Sequence, residues 1–231
     1  MKAMILAAGR GERMRPLTDA TPKSLLEIDG KALIVHRIEA LRAAGLLDLV
    51  INLGYRGEQI RATLGDGDCY GVRIFYSCEP EHALDTGGGI FQALPLLGAA
   101  PFVVVNSDIW TDYPLVRLVK KAPRLAYLVM VDNPPQHPRG DFALIGGRVS
   151  EQEGSRLTYS GICVLSPSLF DGCSPGRFSL VPLLRRAMVA GVVEGEHYSG
   201  DWRDIGTPQR LYQLEAELHR AGRSSTDLSR L

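Results

Sequence analysis

The chain has 231 residues, 45% hydrophobic and 23% charged, which suits a core-bearing globular protein and excludes an intrinsically disordered one. Its 26 Lys plus Arg balance 26 Asp plus Glu, so no general attraction to nucleic acid or to an anionic membrane is expected. The four cysteines form no CxxC pair and the five histidines no HxxxH or HExxH set, which argues against zinc and for reduced thiols in a cytoplasmic protein.

Lys2–Leu6 reads as a strand, and a Gly-Arg-Gly loop follows it, so the apolar start is too short for a signal peptide. Leu33–Ala44 carries apolar residues at helical spacing and stops at Gly45. Leu49–Asn52 is a strand, Glu58–Leu64 a short helix ending at Gly65, Val72–Ser77 a strand, Gly89–Leu97 a helix and Pro101–Val105 a buried strand. Thr86 to Ser107 carries no charge, but three glycines, Pro95 and Pro101 break it, so it reads as helix plus strand and not as a membrane span. Strand and helix in regular succession imply a mostly parallel sheet with helices on both faces.

The second half is less regular. Leu125–Val131, Phe142–Ile145 and Thr158–Leu165 read as strands, Phe178–Ala190 as a helix, Val192–Tyr198 as a strand and Pro208–Arg220 as a closing helix. Residues 221–231 are polar and are expected to fray. No linker divides the chain. The expectation is an α/β, Rossmann-like single domain over 1–231, mostly parallel with a mixed portion. Residues 1–110 would form its nucleotide-binding half and 111–220 its sugar-binding half.

The first loop concentrates cation: Arg10, Arg13, Arg15 and Lys23 lie close behind Gly9 and Gly11. "GRGERMRP" lacks the Gly-Lys of a P-loop, and Gly9-Arg-Gly11-Glu-Arg-Met14 lacks the third glycine of the dinucleotide fingerprint. Glycines let main-chain N–H groups approach phosphate oxygens, and guanidiniums bind such oxygens in bidentate fashion. A solvated basic loop paired with Glu12, Asp19 or Glu27 has the same spacing, so spacing alone leaves both readings open.

The full string "LAAGRGERMRPLTDATPKSLLEIDGKALI" closely resembles the signature of the sugar-1-phosphate nucleotidylyltransferases. The likeness continues in "TGGGI" at 86–90, "VVVNSD" at 103–108, "HPRGDFAL" at 137–144, "TYSGICVLSP" at 158–167 and "DWRDIGTPQRL" at 201–211. Within that family it is most similar to the short branch that joins UTP to N-acetylmuramate 1-phosphate. Asp85 and Ser107 stand where that branch usually has Glu and Gly. The resemblance implies the nucleotide-diphospho-sugar transferase fold and a reaction in which a sugar 1-phosphate displaces pyrophosphate from a nucleoside triphosphate. Phosphate monoesters have a second pKa of about 6, so such a nucleophile is ionised already and needs no general base. The difficulty is repulsion between polyanions, which metal, Arg and Lys must offset.

The resemblance assigns Mg²⁺ to Asp108, at the end of a central strand, and to Asp204, ahead of a Thr-Pro helix start. Lys23, Arg13 and Arg15 are its catalytic cations, whereas Arg10 sits at a variable position and is expected to be solvated. Nucleotide contacts are expected from Ala7, Ala8, Gly9, Gly11, Glu12, Arg13, Lys23, Asn52, Gly54, Gly87 and Gly88, the last two offering a flat surface to the base. Sugar contacts are expected from Asn106, Asp141, Tyr159 and Gly161, while Trp202 is expected to pack. N-acetylmuramate carries a lactyl carboxylate, for which Arg139, Arg148 and Arg203 are candidates that spacing does not separate.

The resemblance implies a nucleoside triphosphate and a sugar 1-phosphate as partners, with no nucleic acid or membrane, and the lack of a long apolar surface stripe favours a monomer. Rival readings are the same reaction on mannose 1-phosphate with GTP, glucose 1-phosphate or phosphocholine, a glycosyltransferase using "NSD" as a metal motif, and a non-catalytic nucleotide sensor.

Overall fold

The computed structural model describes residues 1–80, 84–151 and 154–227, with the side chains of 221–227 excepted. Strand β1 (Ala3–Leu6) leads through the basic loop to a two-stranded ribbon, β2 (Glu27–Ile28) and β3 (Lys31–Ala32), and then to α1 (Leu33–Ala43). There follow β4 (Asp48–Leu53), α2 (Gly57–Leu64), β5 (Arg73–Cys78), α3 (Asp85–Leu97), β6 (Phe102–Asn106) and the short β7 (Ile109–Thr111). The second half comprises β8 (Ala126–Val131), β9 (Phe142–Ile145), β10 (Arg148–Ser150), β11 (Arg156–Leu165), α4 (Val181–Val189), β12 (Val193–Tyr198), β13 (Trp202–Asp204) and α5 (Pro208–Asp227).

Nine strands form one sheet in the order β5-β4-β1-β6-β11-β8-β12-β10-β9. The β5, β4, β1 and β6 ladders are parallel, as expected of strands joined through α1, α2 and α3. Beyond β6 the sheet is mixed: β11 is antiparallel to both β6 and β8, β12 is parallel to β8, and β10 and β9 reverse in turn. β9 also pairs with the start of β11, Ala143 opposite Arg156 and Phe142 opposite Leu157, so this end of the sheet curls back on itself.

Side-chain alternation with period two divides the core. Ala3, Ile5, Leu49 and Ile51 pack with Ile34, Ile38 and Leu41 of α1 and Ile60 of α2 on one face. Met4, Val50 and Val104 pack with Ile90 and Ala93 of α3 and Leu184 of α4 on the other. A third cluster joins Met14, Ile28 and Leu33 to Ile205, Leu211 and Leu214, docking α5 onto the opening loop.

Most boundaries fall within a residue of the sequence reading, and four differences have a structural reason. α3 starts at Asp85, so the three glycines lie inside it; each costs about 1 kcal/mol in helix propensity. Their tolerance has a packing reason: a Cβ on Gly87 would sit 2.6 Å from the Phe178 ring, and one on Gly88 2.2 Å from the Gly176 carbonyl oxygen. Phe178 itself belongs to the loop that meets these glycines, and α4 begins at Val181. β11 begins two residues early, where β9 pairs with it. α5 continues to Asp227 through part of the tail expected to fray, and 228–231 lie outside the described residues. Among the described residues no helix is long and apolar enough to cross a membrane.

Candidate active site

The carboxyl ends of β1, β4 and β6 open onto a cleft of about 550 Å³. Of the residues singled out from the sequence, Ala7, Ala8, Gly9, Gly11, Glu12, Arg13, Lys23, Asn52, Asn106 and Asp108 line it. Open parallel sheets bind ligands at this end, because the loops that leave the strands diverge there.

The loop's shape follows from a few residues. Gly11 has φ +64°, and a Cβ there would press on Lys23 Cβ at 3.0 Å and Thr18 Cγ2 at 3.1 Å. Its carbonyl oxygen accepts from Met14 N at 2.8 Å and from the Thr18 hydroxyl at 2.9 Å. Met14 is buried in the third core, so the loop is anchored from below while Arg13 stays exposed at the cleft. Pro22 precedes a short 3₁₀ turn over Lys23–Leu25 that carries the lysine inward. Lys23 Nζ forms an ion pair with Asp108 Oδ2, and only 12% of the lysine side chain is exposed.

Two arginines exchange their expected places. Arg15 does not line the cleft; it pairs with Asp19 at 3.3 Å on the surface. Arg10 does line it, with its guanidinium 5.9 Å from the centre of the Tyr55 ring. Spacing in the sequence cannot reveal this, because the turn over Glu12–Met14 sets which side chains point inward.

A relay of hydrogen bonds stiffens the other wall. Ala7 N donates to Asn52 Oδ1 at 2.8 Å, Asn52 Nδ2 donates to Glu79 Oε1 at 2.7 Å, and Glu79 Oε2 accepts from Leu84 N at 2.8 Å. Glu79 thus ties β1, β4 and the start of α3 together, a role the sequence reading missed; its signal was a lone Glu-Pro after β5. Gly54 packs against Ala8, where a Cβ would fall 2.5 Å from the Ala8 carbonyl oxygen. Gly87 and Gly88 are buried against the 176–178 loop and do not line the cleft, whereas Asp85 and Thr86 do. Gly87 and Gly88 therefore secure helix-to-loop packing, while a Cβ on Gly89 would fall 2.4 Å from Glu79 Oε1 and 3.1 Å from Asn52 Nδ2, against the relay itself.

Asp108 lies in the two-residue link between β6 and β7, and β13 pairs with β7 so that Asp204 lies opposite Ile109. Ile205 N donates to the Asp108 carbonyl oxygen at 2.9 Å, which makes the two acids backbone neighbours despite their separation in sequence. Asp204 Oδ2 is ion-paired with Arg210. Asp204 does not itself line the cleft, but its carboxylate abuts Gly206, which does: a Cβ on Gly206 would lie 2.9 and 3.1 Å from the two Asp204 carboxylate oxygens. Among the described residues no group of three or more His, Cys, Asp or Glu side chains forms a metal cage. Two partly exposed carboxylates, each beside a chain cation, instead fit a hard divalent ion that shares its coordination with substrate phosphates.

On the sugar side, Gly161 has φ +80° and abuts Asn106, whose Nδ2 lies 2.6 Å from where a Cβ would be. Asp141 does not line the cleft: its Oδ1 pairs with His137 Nε2 at 3.0 Å and its Oδ2 accepts from Tyr159 N at 2.8 Å. Tyr159 packs against the second core, where burial and the neighbouring Cys163 thiol push its hydroxyl well above the usual range. Both side chains are engaged within the fold. Trp202 packs as expected and donates to the Ser160 carbonyl oxygen at 2.9 Å.

An open α/β sheet with a glycine-hinged cationic loop facing an acid at the end of a central strand defines a phosphate-handling protein. The sequence matches the family described as Nucleotidyl transferase over residues 2–154. It is 48% identical over 225 residues to the N-acetylmuramate alpha-1-phosphate uridylyltransferase of Neisseria meningitidis serogroup B, covering 94% of this chain and 97% of that one. Identity to the protein of the same description from Caulobacter vibrioides is 37%, over 95% and 97%. In shape it matches a crystal structure from Bacillus anthracis solved in complex with a sucrose, with a TM-score of 0.83 at 21% identity over 94% of each chain, a likeness of fold alone. The chain belongs to the nucleotidyl transferase family, and it is a transferase.

Proposed function

We propose that this enzyme transfers a uridylyl group from UTP to N-acetylmuramate 1-phosphate, releasing pyrophosphate and forming UDP-N-acetylmuramate, a reaction of cell-wall recycling. The observation that carries this reading is the cleft in which Lys23 meets Asp108, in a chain 48% identical to a uridylyltransferase of that acceptor across nearly its whole length.

In this reading the phosphate oxygen of the acceptor attacks the α-phosphorus in line with the departing pyrophosphate. Main-chain groups of Ala7, Ala8 and Gly9 hold the nucleotide over β1, with Asn52 fixing the Ala7 amide and Gly54 allowing close approach. Lys23 and Arg13 offset the triphosphate charge, and Arg10, which lines the cleft, joins them. Asn106 and Gly161 form the floor under the sugar, while Asp141 and Tyr159 fix the strand starts beside it. Asp108 and Asp204 would hold Mg²⁺, which when bound supplies charge neutralisation and alignment of the phosphates. Binding must displace Lys23 from Asp108, which hands that cation to the substrate.

The test crosses UTP, GTP, CTP and dTTP with the 1-phosphates of N-acetylmuramate, mannose and glucose and with phosphocholine, with Mg²⁺ present or chelated, reading pyrophosphate release. Highest kcat/KM with UTP and the muramate compound, abolished by chelation, is expected. A preference for GTP and mannose 1-phosphate would overturn the assignment.

A further inference from the structure

Three cations line the phosphate cleft, and they differ in what holds them. Lys23 is paired with Asp108, whereas Arg10 and Arg13 form no ion pair among the described residues. Arg10 is exposed, and its guanidinium lies within cation–π range of the half-buried Tyr55 ring, 5.9 Å from the ring centre. We infer that Tyr55 is a positioning residue, whose ring holds the Arg10 guanidinium on the flank of the cleft where the departing pyrophosphate must lie. The inference rests on the proposed nucleotidyl transfer and deepens it by naming a residue that acts on the leaving group through another side chain.

Placement supports it first. The sheet sets β4, β1, β6 and β11 side by side in that order. Asn106 at the end of β6 abuts Gly161 of β11, the proposed floor under the sugar. Tyr55 follows β4 on the opposite flank of β1, where its N–H donates to the Ala8 carbonyl oxygen at 3.4 Å. In-line displacement needs the attacking and departing oxygens on opposite sides of the α-phosphorus. An acceptor over Asn106 and Gly161 therefore sends the pyrophosphate toward the β4 flank, where Arg10 meets Tyr55.

The ring is fixed beforehand. Its hydroxyl donates to the carbonyl oxygens of Thr18 and Asp19, at 3.2 and 3.3 Å, and accepts from Arg56 Nε at 2.9 Å. Arg56 Nη2 donates to the Asp19 carbonyl oxygen at 2.6 Å, and its guanidinium lies 5.3 Å from the same ring centre. Arg56 adopts φ +52°, a left-handed conformation that persists in a non-glycine residue when its surroundings over-determine it. The turn after β4 is thus strapped to the cationic loop, and Arg56 is spent on the strap while Arg10 is not.

Magnitude decides the role. A cation over an aromatic face at an exposed site is worth about two- to fivefold in an equilibrium. That biases where Arg10 points, yet it is too weak to compete with the charged, bidentate contacts a polyphosphate offers a guanidinium.

The test measures dissociation constants by calorimetry, with Mg²⁺ present, for UTP and for UMP, which lacks the departing phosphates. Wild type, Arg10→Ala, Tyr55→Leu, Tyr55→Phe and the double variant Arg10→Ala/Tyr55→Leu are compared. Arg10→Ala should weaken UTP about tenfold, the low end for a charged hydrogen bond, and leave UMP unchanged. Tyr55→Leu should weaken UTP about two- to fivefold with UMP again unchanged, and Tyr55→Phe, which keeps the ring, should match the wild type. The double variant should be no worse than Arg10→Ala alone, because the ring acts only through that arginine. Losses that multiply in the double variant, or that fall equally on UMP, would show Tyr55 to be merely structural and overturn the inference. Unchanged UTP binding in Arg10→Ala or in Tyr55→Leu would overturn it as well. A wild type that prefers GTP would overturn the uridylyl assignment instead, and the same ratios taken with GTP and GMP would then decide the role of Tyr55.

Discussion

Replacing Lys23 by Met should produce two effects of opposite sign. The lysine offsets triphosphate charge in a partly closed cleft, and loss of one preorganised group of this kind costs about 3–4 kcal/mol in the transition state, or roughly 10²- to 10³-fold in turnover. In the free enzyme the same lysine neutralises Asp108, with side-chain exposures of 12% and 28%. An exposed pair contributes up to about 1 kcal/mol and a fully buried one several, so this partly buried pair is worth about 1–2 kcal/mol. Removing the competing cation should therefore tighten divalent-ion binding about five- to thirtyfold in the absence of nucleotide. Manganese titration followed by electron paramagnetic resonance reads the second effect, and pyrophosphate release reads the first. Lys23→Arg, which keeps the charge, should show neither effect at full size. Unchanged turnover in Lys23→Met would remove the loop from the mechanism, and unchanged or weaker manganese binding would show that Lys23 and the metal do not compete for Asp108.

Arg13→Ala should lower kcat/KM more than Arg15→Ala, since Arg13 lines the cleft and Arg15 pairs with Asp19 outside it; equal losses would refute that placement. Gly88→Ala should destabilise the fold by about 1–3 kcal/mol, because its Cβ would fall 2.2 Å from a backbone oxygen, and an unchanged melting temperature would contradict the packing account. Arg37 of α1 is 5% exposed, its Nε has no hydrogen-bond partner among the described residues, and burial pushes its guanidinium down to about 10. The charged form is thus disfavoured by folding at every pH below about 10 and relieved only as pH rises through that value. Arg37→Met should raise stability by about 1–3 kcal/mol at neutral pH in urea denaturation, with the gain shrinking in strong alkali, and a loss would point to a partner for this charge. Glu79→Ala leaves the Asn52 amide and Leu84 N without their acceptor and should raise KM for the triphosphate severalfold; an unaltered KM would separate the relay from nucleotide binding.

The parallel half of the sheet was legible because its strands are continuous apolar runs and its helices carry the complementary period. Asp108 was legible for the same reason, since a carboxylate that ends such a run must emerge at the binding end. The short β7 and β13 were not, because three residues each carry no period and their pairing joins segments about ninety residues apart in sequence. The packing of Gly87 and Gly88 was not legible for a related reason: they answer to Phe178 and Gly176, a contact no local pattern encodes. Arg10 and Arg15 changed places because a turn, and not their spacing, decides which faces the cleft.

The position of Asp204 is set by hydrophobic docking more than by the acid's own contacts. Ile205, Leu211 and Leu214 pack onto Met14, Ile28 and Leu33, so the segment carrying Asp204 and the loop carrying the cations share one small core. Arg203 reaches from β13 to Glu217, and Arg210 reaches back from α5 to Asp204, clamping that segment from both sides. A charge pair in a half-open cleft contributes too little to align two acids drawn from opposite ends of the chain, whereas burying several large apolar side chains contributes several kcal/mol. The chain therefore aligns its acids through α5 and leaves their carboxylates paired with displaceable cations, Lys23 and Arg210. That division fits the proposed function, in which the cleft exchanges its own cations for a metal and a polyphosphate.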